Sequence, residues 1–286
     1  MRVGFTLVDV FTDVPFAGNQ LCVVPEPPKD VDGVTMQVLA REIGFSETTY
    51  VTAVREGGYE VRIFTPVSEL PFAGHPTLGT AFVLARLGAV PPNVVQTSAA
   101  GDVPVEVELE AGVATMQQLP HEFGEPFDDR DAVTSAAGLD PNDLGAGPIM
   151  RVSTGIWHLM VPVAGEEDAL RRATRNDRGC AGVCERAGAE SLYLFAIRRP
   201  GDVMARMFDR SAEIGEDPAT GSAAGPLGAY LSEHGEAGMP GHMTIAQGEM
   251  VGRPSFLEVD VVRDPTGWVA SVGGGVQIVG EGWFEL

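Results

Sequence analysis

Lysine is almost missing from this chain. Lys29 stands alone among 19 basic residues, the other 18 being Arg. It lies in Pro25-Glu-Pro-Pro-Lys-Asp, which reads as a turn-like loop. Pyridoxal phosphate needs a lysine Schiff base within a pocket, so that cofactor is excluded. A GC-rich coding sequence explains the arginine bias most simply, with salt adaptation as the alternative. Positive charge is scarce as well: 40 acidic residues leave a net charge of −21. A surface this acidic argues against nucleic acid, whose phosphates need Lys and Arg. An anionic substrate would have to be held by local dipoles rather than by the global field.

Cysteine is sparse and odd in number, with only Cys22, Cys180 and Cys184. That set suits a reducing compartment and gives no disulfide framework. Cys180 and Cys184 have helical spacing and could ligate a metal, but two incidental thiols near a loop are the simpler reading. His121, His158, His234 and His242 show no metal-ligand spacing, so no metal is expected. No apolar run approaches the roughly 18 residues of a membrane helix. The N-terminus alternates like a strand and has no cleavage-site pattern. The expectation is a soluble cytoplasmic protein that binds neither membrane nor nucleic acid.

What the chain does have is a repeat. Arg62-Ile-Phe is followed by Gly74-His75-Pro76-Thr77-Leu78-Gly79-Thr80-Ala81, and Arg206-Met-Phe by Glu216-Asp217-Pro218-Ala219-Thr220-Gly221-Ser222-Ala223. His75 and Asp217 then correspond, 142 positions apart (217 − 75) in 286 residues. Gly18 and Gly155 match at a second point. The chain reads as two ordinary-sized domains of one duplicated fold, each aiming an ionisable group at a shared cleft. The Pro- and Gly-bearing acidic stretch 120–147 marks the boundary, and 128–137 within it reads as a short surface helix. The N-terminal repeat is therefore 1–120 and the second 121–275.

Strands are predicted near 3–11, 19–24, 48–54, 59–64, 93–98, 103–109 and 113–118, with a helix over 35–43. The second half offers strands near 149–153, 158–163, 191–197, 202–208, 242–247, 256–262, 267–272 and 276–281. Helices from Pro76 to Leu87 and from Pro218 to Leu231 are small or apolar on every face, so each should be buried all round within a curved sheet. Pro226 should kink or shorten the second. The fold class is α+β.

Pro76 and Pro218 suit the first helical position, which would make His75 and Asp217 N-caps beside unpaired backbone amides. Two such helix starts could hold a carboxylate without Lys or Arg. Asp217 also fits a purely local cap, and His75 a satisfied structural histidine. Glu47, in Gly44-Phe45-Ser46-Glu47-Thr48-Thr49-Tyr50, is surrounded by uncharged residues that would raise its pKa toward working pH; an exposed loop glutamate is the equal alternative. Gly273-Gly-Gly275 has no helix after it and is not a dinucleotide loop. Gly221-Ser222-Ala-Ala-Gly225 is not a nucleophile elbow.

The motifs Asp9-Val-Phe-Thr-Asp-Val-Pro-Phe-Ala-Gly-Asn19, Ser46-Glu47-Thr48-Thr49, Phe72-Ala-Gly74-His75-Pro-Thr77 and Glu216-Asp217-Pro-Ala-Thr-Gly221-Ser222-Ala223 resemble those of the PhzF-like phenazine biosynthesis family, within the diaminopimelate epimerase-like fold. The resemblance covers nearly the whole chain. It implies two similar domains, each a curved, mostly antiparallel sheet around a central helix, with a C-terminal strand near 276–286 that can complete the first. It implies a homodimer and a cofactor-free isomerase acting on a small carboxylate, similar to trans-2,3-dihydro-3-hydroxyanthranilate isomerase. Glu47 would carry the proton, with His75 and Asp217 assisting, while Gly74, Gly221 and Ser222 would bind substrate. Epimerases of this fold use a cysteine at each central helix, and neither helix start has one here, which disfavours two-thiol racemisation. An epimerase of a small amino or hydroxy acid and a silent carboxylate-binding protein remain open. So does a more distant reading, a Ser222 hydrolase.

Overall fold

The computed structural model describes residues 2–27, 31–165, 167–234, 241–265 and 267–286; Lys29 lies outside the described residues. The chain forms two compact units, Met1–Gln117 with Gly273–Leu286, and Gln118–Val272. Sheet dominates both, and helices are few. Among the described residues no helix is long and apolar enough to cross a membrane.

The first unit runs β1 (Arg2–Val10), β2 (Asn19–Val24), α1 (Gly33–Ile43), β3 (Glu47–Arg55), β4 (Gly58–Phe64), β5 (Glu69–Leu70), α2 (Gly74–Arg86), β6 (Asn93–Ser98), β7 (Gly101–Glu108) and β8 (Val113–Gln117). β2 and β3 are parallel, so the chain must cross over between them, and α1 is that crossover. β3 and β4 form an antiparallel hairpin. β4 and β6 are parallel again, and α2 supplies the second crossover. Every residue of α2 from Gly74 to Ala85 is buried. Small residues permit this. A Cβ added at Gly79 would lie 2.6 Å from the Leu21 side chain and 3.0 Å from Val10, so the glycine lets the helix settle onto β1 and β2.

The second unit runs β9 (Glu122–Pro126), α3 (Arg130–Ala137), β10 (Met150–Ser153), β11 (Trp157–Pro162), α4 (Asp168–Arg172), α5 (Asp177–Ala187), β12 (Ser191–Arg199), β13 (Asp202–Asp209), β14 (Glu216–Asp217), α6 (Gly221–Glu233), β15 (Gly241–Gln247), β16 (Ser255–Asp264) and β17 (Gly267–Glu285), whose last residues belong to the first unit. β11 and β12 are parallel with α4 and α5 between them, β12 and β13 are antiparallel, and β13 and β15 are parallel across α6. α6 is buried from Gly221 to Leu231.

Several expectations need correction. α6 has 13 residues, as many as α2, so Pro226 does not shorten it. The stretch 130–137 is not merely a surface helix, because Val133, Thr134, Ala136 and Ala137 are buried against the core that also holds α5. Cys180 and Cys184 sit inside α5, not near a loop, and both are buried. The two strands expected at 267–272 and 276–281 are one, β17, which runs straight through Gly273-Gly-Gly275. Close packing explains those glycines. A Cβ at Gly275 would lie 2.3 Å from the Thr12 carbonyl oxygen, where the loop after β1 donates its Phe11 and Thr12 amides to Gly275.

Candidate active site

In the first unit, Glu47 opens β3 and His75 sits in the first turn of α2. Glu47 Oε2 lies 3.3 Å from His75 Nε2, with the side chains 14% and 5% exposed. The same nitrogen lies 3.3 Å from the Gln20 carbonyl oxygen. Burial pushes the His75 pKa down to about 3, although the Gln20 carbonyl pulls it back upward. The ring is therefore neutral at working pH. A carbonyl can only accept, so the ring proton resides on Nε2. The Glu47–His75 contact then joins a carboxyl group to a neutral N–H, not to a charged imidazolium. Gly74 is the first residue of the same helix.

Next to this pair lies a strained loop. Phe11 and Phe16 have φ of 67° and 69°, a region that bulky residues rarely adopt. The Asp9 carboxylate accepts from the Phe16 amide at 2.7 Å and helps to hold it there. The loop ends at Asn19, whose side chain accepts from Ser46 at 2.9 Å, immediately before Glu47.

The second unit holds Asp217, Gly221 and Ser222. Asp217 is buried in β14, opposite Met207. Its Oδ2 accepts from the Thr220 hydroxyl at 2.6 Å. Gln247 braces this corner, donating to the Asp217 carbonyl and to Thr220 Oγ1, both at 2.9 Å. Tyr193 in turn donates to Gln247 at 3.0 Å.

Neither His75 nor Asp217 is an N-cap. α2 starts at Gly74 after Ala73, which puts His75 in the second helical position; α6 starts at Gly221 after Thr220. Strand pairing holds Asp217 extended, and the Gln247 side chain holds Thr220 outside the helix. No side chain caps either helix. The contrast with α1, α3 and α5 is instructive, since Asp32, Asp129 and Asn176 each accept a first-turn amide there. The two buried helices thus present first-turn amides without a side-chain cap, and these carry the positive end of the helix dipole.

Ser222 has a partner that sequence spacing did not reveal. Its Oγ lies 3.0 Å from His158 Nε2, and His158 Nδ1 lies 2.8 Å from Ser191 Oγ. All three are buried. They come from α6, β11 and β12, and the β11–β12 register sets His158 opposite Ser191. The one signal in the sequence was a histidine inside an otherwise apolar strand. Burial pushes the His158 pKa down to about 3.

Among the described residues no group of three or more His, Cys, Asp or Glu side chains could hold a metal ion. The Cys22 thiol is pushed up to about 12 by burial, so it is not a ready nucleophile.

Comparison with known proteins gives this geometry a family. The model of the phenazine biosynthesis-like (PhzC-PhzF) family matches residues 8–282. The chain belongs to that family. It is 34% identical to the trans-2,3-dihydro-3-hydroxyanthranilate isomerase of Pseudomonas fluorescens, covering 89% of this chain and 88% of the other. It is also 34% identical to the uncharacterized isomerase YddE of Escherichia coli O157:H7, covering 90% of each. The crystal structure of a PhzF-family phenazine biosynthesis protein from Bacillus anthracis superposes with a TM-score of 0.88 at 25% identity over the full length of both chains. This PhzF-family chain is an isomerase.

Proposed function

We propose that this PhzF-family protein moves a proton between two carbons of a small carboxylate similar to trans-2,3-dihydro-3-hydroxyanthranilate, and does so without a cofactor. The observation that carries the reading is the Glu47–His75 contact of 3.3 Å. It sets a little-exposed carboxylate beside a ring that stays neutral at working pH. Glu47 can then change protonation while the His75 ring beside it does not, as general acid–base work requires. The carboxylate takes a proton from one carbon, the C–H electron pair shifts into the conjugated system, and the carboxylic acid returns the proton to another carbon. No electron is gained or lost. His75 and Asp217 assist the transfer. First-turn amides can hold a carboxylate and the charge that develops on it, those of Gly74–His75 in the first unit and those of Gly221–Ser222 in the second.

We further propose that the units are copies of one duplicated fold, each a curved sheet around its buried helix. Two arginine forks support this. Arg62 grips Glu69 through two bonds of 2.7 Å, and Arg206 grips Glu216 at 2.8 and 2.6 Å. In register, Thr48 faces Phe64 as Leu192 faces Phe208. Glu47 therefore corresponds to Ser191, and Leu21, beside Glu47, to His158. The position that matches Glu47 thus carries no carboxylate in the second unit. That asymmetry favours one base moving a proton over two matched bases inverting a centre.

Epimerisation of a small amino or hydroxy acid is the second reading, and the buried Asp217 is what favours it, a residue that the sequence repeat pairs with His75 although the strand register pairs it with Leu70. Turnover of trans-2,3-dihydro-3-hydroxyanthranilate in deuterated water separates the two. A moved double bond in the product supports isomerisation. Inversion at one centre, with deuterium there and no double-bond shift, supports epimerisation. We also propose a cytoplasmic homodimer, which sedimentation at micromolar concentration would test.

A further inference from the structure

We propose that His158 is a positioning residue that turns the Ser222 hydroxyl into a hydrogen-bond donor for the carboxylate of the ligand. The inference rests on the reading of Ser222 as a substrate-binding residue.

Proton accounting carries it. A neutral imidazole donates from one nitrogen and accepts at the other. His158 has a serine hydroxyl at each: Ser191 Oγ at 2.8 Å from Nδ1 and Ser222 Oγ at 3.0 Å from Nε2. Two arrangements are possible. In one, Nδ1–H donates to Ser191, and the Ser191 proton then needs another acceptor. Ser191 is fully buried, and His158 is the partner of its hydroxyl. A buried hydroxyl left without an acceptor costs about 1–3 kcal/mol. In the other, Ser191 donates to Nδ1, Nε2–H donates to Ser222, and the one proton left to place is that of Ser222, which is 7% exposed where Ser191 is 0% exposed. The second arrangement is favoured. Ser222 Oγ then accepts from His158, so its own proton must point to something else. A carboxylate, which only accepts, is the ligand group that fits.

Three features make the relay rigid. Ser191 and His158 are held opposite one another by the β11–β12 ladder. Ser222 is fixed in the first turn of a helix that is buried from Gly221 to Leu231. Burial keeps the imidazole neutral, so the relay does not invert across the working pH range. The same tautomer argues against Ser222 as a nucleophile. A hydroxyl that accepts from its histidine is not being deprotonated by it, and Ser191 offers no charge to stabilise an imidazolium.

Nitrogen-15 NMR of the imidazole side chains tests the relay in the free protein. His158 should show a protonated Nε2 and an unprotonated Nδ1, unchanged from pH 5 to pH 9. The opposite tautomer, or a titration within that range, would overturn the proposal. Calorimetry with anthranilate as the probe carboxylate tests its role. Ser222→Ala and His158→Leu should each weaken binding roughly ten- to a hundred-fold, as expected for a bond to a charged group. The double variant should be no weaker than either single one, and His158→Gln, which can still donate toward Ser222, should recover part of the loss. A merely structural histidine would instead give additive losses, no rescue by Gln and a lower melting temperature. If Ser222→Ala weakens binding while His158→Leu does not, the relay falls and the substrate-binding reading of Ser222 stands. If Ser222→Ala leaves binding unchanged, both fall.

Discussion

Histidine protonation couples the residues of the candidate site to stability. His75 and His158 both have pKa values near 3 in the folded chain against an ordinary 6.5, in each case chiefly through burial. His121 is lowered by burial too. Between about pH 3 and pH 6.5 the unfolded chain binds protons at His75 and His158 that the folded chain refuses. Stability must therefore fall as the pH drops through that window, by at most about 1.4 kcal/mol per pH unit for each ring. Asp209 works the other way. Burial lifts it from 3.8 to about 6, so its contribution is full below 3.8 and is lost as the pH rises to about 6. The histidines outnumber it. Urea unfolding should give a lower stability at pH 5 than at pH 7, and His75→Gln should shrink the difference. An equal or larger difference in that variant would contradict the assignment of a buried neutral ring. At this scale motif and repeat offered Glu47, His75, Gly74, Asp217, Gly221 and Ser222 as candidates. The Ser222–His158–Ser191 chain was not legible in the sequence, because its members lie 64 and 33 positions apart and only strand register joins them.

The two arginine forks distinguish the corresponding elements by burial. The side chains of Arg206 and Glu216 are 7% and 12% exposed, whereas those of Arg62 and Glu69 are 38% and 43% exposed. Arg206 also donates to the carbonyls of Leu170 and Ala173 at the end of α4. Glu216→Gln should cost about 3–5 kcal/mol by stranding a buried guanidinium. Glu69→Gln should cost about 0–1 kcal/mol. Chemical denaturation of both variants checks the ranking, and equal losses would contradict it. Backbone approach gives a second prediction. Gly275→Ala drives a Cβ to 2.3 Å from a backbone oxygen, while Gly4→Ala meets open space. The first should destabilise by about 1–3 kcal/mol and the second should change little. Most element types were readable from periodicity, whereas the starts of α2 and α6 were not. Proline preference pointed to Pro76 and Pro218 as first helical residues. Tertiary bonds decided otherwise, with the β13–β14 pairing and the Gln247 brace keeping 217–220 out of α6. The Gly273–Gly275 run also read as a break between strands, because nothing local announces the loop that packs on it.

For the molecule as a whole, the net charge of −21 sets a boundary on how substrate is held. The summed field repels an anion, so binding must come from short-range donors such as helix amides and hydroxyls. Screening weakens long-range repulsion while leaving those contacts largely intact. Raising salt from about 0.01 M to 0.15 M, where the Debye length shrinks from about 30 to 8 Å, should therefore tighten anthranilate binding modestly. A clear loss of affinity would point to a surface cation as the anchor. The α+β class and the family were legible because the motifs span nearly the whole chain, and the family match at 8–282 agrees. The single β17 and the helices α4 and α5 were not, since alternation and small-residue content there fit more than one element.

Glu47 is the residue proposed to carry the proton. The most direct test is the rate of Glu47→Gln on trans-2,3-dihydro-3-hydroxyanthranilate, measured with anthranilate affinity as the control for an intact site. A fall of roughly a hundred- to ten-thousand-fold with affinity retained is expected. Turnover within a few-fold of the parent chain, at the same affinity, would contradict it.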